Sequence, residues 1–120
     1  MLRGLAPLLL LLLAAGSLRA EVFDPVGLWR FRHTDGSVFY GRLYADQRAT
    51  TDFGANESGI WRPEGDAVRI LYTDGWDDLL TMVDGGFAKR SWEPGADRCG
   101  PPTNENVAER VSTDPAAPVP

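Results

Sequence analysis

Asp74, Asp77 and Asp78 fall within five residues, close enough for three carboxylates to gather around a hard cation such as calcium, with Glu93 or Asp84 as a distant contributor. An EF-hand loop needs a fixed series of oxygen ligands and a closing glutamate, and this run lacks both. Alternation along an extended chain also sends Asp77 and Asp78 to opposite faces. The pattern reads as an Asp-Gly turn followed by solvated carboxylates, and no residue is assigned as a metal ligand. His33 is the only histidine. It has no second histidine for a metal site and no Gly-x-Ser-x-Gly nucleophile turn to serve, so it reads as a barrel-end or core residue near a turn. Asp35, Glu64, Asp66 and Asp77 are candidates for a carboxylate pair. Nothing in their spacing selects two of them, so no catalytic residue is assigned and no cofactor is implied.

Trp29, Tyr40, Tyr44, Trp61, Tyr72, Trp76 and Trp92 form a large aromatic set for so short a chain. Trp and Tyr combine an apolar body with a polar tip, which suits a concave site for flat or sugar-like ligands and equally suits the sealing of a small barrel. Tyr40, Tyr44, Tyr72 and Trp76 are the candidate ligand-binding residues. Trp29 and Trp61 are expected in the core, because Gly27-Leu28-Trp29-Arg30 is echoed by Gly59-Ile60-Trp61-Arg62, with a Tyr eleven residues after each Trp, at Tyr40 and Tyr72.

The elements that would position these residues are strands. Asp35-Gly36, Asp74-Gly75 and Asp84-Gly85 are each flanked by apolar or β-branched residues, which is the strongest short-range signal for a hairpin. Strands are expected over 27–33, 37–45, 48–53, 59–63, 67–73, 76–83 and 87–93, several with clear alternation: Trp29, Phe31 and His33 oppose Leu28, Arg30 and Arg32. Gly41, set between Phe39 and Leu43, is expected to mark a bulge or bend that lets the sheet curl. Prolines and glycines from Pro94 onward predict the end of regular sheet near Glu93. Residues 104–111 are left as a short strand or a turn of helix covering one barrel end. The fold class is all-β, a single small antiparallel meander forming a closed or nearly closed barrel of about seven to eight strands, which also hides its edges. The expected domain spans 21–112, with residues 113–120 a disordered tail.

Residues 1–20 have the order of a cleavable secretory signal: Arg3, an apolar run of about eleven residues, then small residues ending at Ala20. The run is shorter than the roughly twenty residues a membrane helix needs, so no membrane insertion is expected after cleavage. Secretion or a periplasmic location follows. Removing Arg3 and Arg19 leaves 10 basic and 17 acidic side chains, a formal charge of −7. That sign, without any basic cluster, excludes nucleic acid as a partner. Cys99 is the single cysteine, either a free thiol or a link to a partner chain, so the fold must rest on its apolar core. Asn56-Glu57-Ser58 fits the N-glycosylation pattern.

Gly27-Leu28-Trp29 resembles the Gly-x-Trp opening of calycin barrels, the group of lipocalins, avidins and bacterial metalloprotease inhibitors of the Inh type. The stretch from Gly59 to Asp66, followed by Val68-Arg69-Ile70-Leu71 and Asp74-Gly75, is similar to the middle of an Inh-type inhibitor. About 25 residues carry the likeness. The chain departs from that inhibitor type in having one cysteine instead of a pair and only Glu21 to Pro25 ahead of the first strand. The resemblance implies the barrel architecture and no functional residue. The expected function is that of a bacterial, non-enzymatic exported β-barrel binding a small molecule, a glycan or a protein. An Inh-type periplasmic protease inhibitor is the alternative, and a small carboxylate-dependent hydrolase or lyase the second.

Overall fold

The computed structural model describes residues 23–120, so the expected signal segment lies outside the described residues. Eight strands follow in chain order: β1 (Gly27–Arg32), β2 (Val38–Leu43), β3 (Arg48–Thr51), β4 (Ser58–Glu64), β5 (Ala67–Tyr72), β6 (Asp77–Val83), β7 (Gly86–Trp92) and β8 (Asn104–Ser112). Each is antiparallel to the next, and β8 pairs back onto β1 to close the barrel. All three Asp-Gly pairs form turns, between β1 and β2, β5 and β6, and β6 and β7. The chemistry is local: Asp35 and Asp74 each accept a backbone N–H two residues on, and Gly36 and Gly75 take φ of 84° and 98°, which glycine adopts without a Cβ penalty.

β8 departs from the sequence expectation. It is neither a helical turn nor a cap but, at nine residues, the longest strand, and it supplies both seams that close the barrel. Its interior face is Asn104, Asn106, Ala108 and Arg110, so it shows no apolar alternation to read. Its exterior carries Glu105 and Glu109 opposite Arg90 and Arg30.

The interior is filled by Trp29, Phe31, Phe39, Leu43, Ala49, Trp61, Val68, Ile70, Leu80 and Ala108. Gly41 is not a bulge: it stays in register with Trp29 on one side and Thr51 on the other. Its role is to leave space. A Cβ there would stand 2.6 Å from the Phe31 ring, which is fully buried. Trp29 and Trp61 are both buried and both donate their indole N–H to a backbone carbonyl, of Pro25 at 2.8 Å and Tyr44 at 2.7 Å. Each follows two residues after a glycine whose Cβ would collide with a carbonyl of the neighbouring strand, Ser112 beside Gly27 and Leu71 beside Gly59.

One barrel end is shut. Phe23 packs on Trp29 and Phe87, the Arg110 guanidinium lies 4.8 Å over the Trp29 ring, and Arg110 donates to the Asp24 carbonyl. Residues 113–120, a disordered tail by composition, lie against β2 in the structure, where the Arg42 guanidinium donates to the carbonyls of Pro115 and Ala117, both at 2.6 Å. The opposite end, ringed by the β1–β2, β3–β4, β5–β6 and β7–β8 connections, is open.

Candidate functional site

The open end holds a pocket whose walls are aromatic and whose floor is polar. Phe39 enters from β2, Phe53 from the β3–β4 connection, His33 from the end of β1 and Trp76 from the start of β6. Their rings support one another: His33 lies 4.4 Å from Phe53 and 5.5 Å from Trp76, and Phe53 lies 5.2 Å from Phe39. Measured out to solvent, the space is about 380 Å³. The space is narrow, and the centre of a water molecule can occupy only about 30 Å³ of it.

The floor comes from strand alternation. In β7, Phe87, Lys89 and Ser91 face inward; in β6, Asp78 pairs across from Ile70 of β5 and from Ser91, and so also faces inward. Lys89 is 3 % exposed. Its ammonium donates to the Ser91 hydroxyl at 2.8 Å and stands 3.4 Å from the Asp78 carboxylate. The rings of Phe31 and Phe39 lie 5.5 Å from the same nitrogen. Burial raises the Asp78 carboxyl above its ordinary value, although Lys89 and Ser91 pull the other way. The Tyr72 hydroxyl is buried and has no hydrogen-bond partner among the described residues. Burial, then the charges of Asp78 and Asp74 and the approach of the Asp78 carboxylate to the hydroxyl, too loose for a full hydrogen bond, push its pKa well above the usual phenol value.

Asp77 and Asp78 do take opposite faces, but neither is solvated: they are 4 % and 3 % exposed. The expectation of water-bathed carboxylates is corrected by the cations that cover them. On the outer wall Asp77 accepts from Arg69 and forms an ion pair with Arg98, both at 2.6 Å, and Arg69 also binds Glu64. Trp92 lies outside as well, 5.8 Å from the Arg69 guanidinium, with its indole N–H given to the Gly100 carbonyl. These contacts fasten the β7–β8 connection to the wall. Among the described residues no three of His, Cys, Asp and Glu converge to hold a metal ion.

Of the four aromatic residues singled out from sequence, the structure brings Tyr72 and Trp76 together in this pocket. Tyr40 lines a separate groove on the outer wall with Arg42, Asp52 and Val119, about 420 Å³ measured out to solvent. Tyr44 lies at the β2–β3 turn, with the Arg48 guanidinium 4.5 Å over its ring. Lys89 and Ser91 were not singled out from sequence as site residues, and Asp78 was considered only within a run of solvated carboxylates. A signal for Lys89 was present, since it is the only lysine in a chain whose other cations are arginines.

Comparison with protein-family models, with curated proteins and with solved structures finds no match to this chain, so the pocket's meaning rests on its own geometry.

Proposed function

We propose that the chain is an exported binding module of calycin type, in which the open barrel end receives a small ligand or the terminal group of a larger one. The Gly27-x-Trp29 opening of a closed eight-stranded meander supports the calycin reading. The observation that carries the binding proposal is the pairing of aromatic walls with the unpartnered Tyr72 hydroxyl beside Lys89, Asp78 and Ser91. A buried polar group left unpaired costs about 1–3 kcal/mol, and a ligand that pairs it recovers part of that cost on binding.

The test is a fragment and monosaccharide screen read by the amide and indole resonances of the isotope-labelled protein. Binding at the proposed site shifts the Trp76 indole signal and the amides around Tyr72 and Ser91, and leaves those around Tyr40 and Tyr44 in place. Hits that cluster on the outer wall would move the site elsewhere.

A further inference from the structure

Resting on that reading of the open end, we infer that its ligand is uncharged, a ring compound of the phenol class whose hydroxyl meets the Tyr72 hydroxyl on the pocket floor. The floor is already neutral as a unit. Lys89 and Asp78 are each about 3 % exposed and stand 3.4 Å apart, so a charged ligand would find its countercharge engaged. A carboxylate would have to pass Glu57 and Asp74, both of which line the entrance, and then compete with Asp78 for Lys89. An ammonium group would be welcomed at the rim but desolvated beside Lys89, the only Lys or Arg side chain lining the pocket. An uncharged hydroxyl meets neither obstacle.

The shape selects a ring. The pocket is narrow and lined by Phe39, Phe53 and Trp76, so a flat ring fits between them, where offset and edge-on stacking are available, with its polar head toward Tyr72. Tyr72 fixes the chemistry of the head. Its hydroxyl both donates and accepts; it makes no full hydrogen bond among the described residues, and with the Asp78 carboxylate close by to draw its proton it is best placed to accept from another hydroxyl.

The decisive measurement titrates the labelled protein with phenol, toluene, benzoate and benzylamine at concentrations up to about 10 mM, following the Trp76 indole resonance. Phenol is expected to bind about three- to tenfold tighter than toluene, the worth of one hydrogen bond, and at least as much tighter than either ion. Tyr72→Phe should bring phenol down to the level of toluene and leave toluene unchanged, with the melting temperature checked in parallel. Should Tyr72→Phe melt early, Trp76→Leu serves as the second variant, followed by the amides around Tyr72 and Ser91, and should weaken phenol and toluene alike. Benzoate or benzylamine binding tighter than phenol would overturn the uncharged class while leaving the pocket as the binding site. Phenol and toluene binding equally to the unmodified protein would overturn the role of Tyr72. No shift with any of the four would overturn the ligand class and the binding reading together.

Discussion

Asp77 and Asp78, adjacent in β6, carry their carboxylates to opposite sides of the barrel wall, and each ends within reach of a buried cation: Arg69 outside and Lys89 inside. The outer carboxylate ties the β7–β8 connection to the wall through Arg98, and the inner one balances the charge beneath the open end. One dipeptide thus serves both a structural clasp and the site.

The outer clasp gives a graded expectation. Asp77→Asn keeps the shape but removes the charge from a hydrogen bond to Arg69 and an ion pair with Arg98, and it should cost about 1.5–3 kcal/mol in a denaturant melt. Arg98, with its side chain 38 % exposed, should cost no more than about 1 kcal/mol when changed to Ala. Equal losses for the two would show that Arg69 contributes little.

The interior pair should behave differently. Lys89→Met alone strands the buried Asp78 carboxylate and should cost about 3–5 kcal/mol, whereas Lys89→Met combined with Asp78→Leu removes both charges and should recover most of that loss. The comparison is made by the same melts. A double variant no more stable than the single one would mean that packing, not charge balance, fixes these positions.

Much of this architecture was legible because turns and alternation are local. Asp-Gly turns need only a side-chain oxygen and a glycine, and seven strands carry enough apolar alternation to be seen. β8 was hidden because its inward residues are mostly polar, and their partners, such as the Trp29 ring under Arg110, lie some eighty positions away in the chain. The site was half legible for the same reason. Tyr72 and Trp76 announce themselves by type, but the burial of Asp78 and Lys89 follows from β6–β7 register, which no residue type encodes.

Glu64 provides a pH test. Its hydrogen bond to Arg69 holds its carboxyl below the ordinary 4.5, so its contribution is present above that value and is lost as pH falls through the lower folded-state value. Because the side chain is 42 % exposed, the contribution is at most about 1 kcal/mol. Glu64→Gln should therefore be slightly less stable than the unmodified protein at neutral pH and indistinguishable from it near about pH 2. A difference that grows on acidification would contradict the sign.

The two tryptophans of the repeated Gly-x-Trp-Arg segment should be structural to similar degrees. Trp29→Ala and Trp61→Ala should each cost about 3–5 kcal/mol, while Arg62→Ala, at an exposed position, should stay within about 0.5 kcal/mol. Normal stability of Trp61→Ala would separate the two halves of the echo and leave only Trp29 as a core residue.

Gly41 and Phe31 make the sharpest packing test. A methyl group at position 41 would meet the Phe31 ring at 2.6 Å, and that ring has no free direction in which to retreat, since it is fully buried between Trp29 at 6.0 Å and Phe39 at 5.7 Å. Gly41→Ala should therefore cost about 1–3 kcal/mol by overpacking, even though the backbone conformation there suits alanine. Phe31→Leu removes the ring edge that the new methyl would strike, at its own cost in burial. The double variant should be more stable than the sum of the two losses predicts, by about 0.5–3 kcal/mol, because the added methyl fills part of the space the ring vacates. Strict additivity in equilibrium unfolding would mean that glycine is required at position 41 for a reason other than the Phe31 ring.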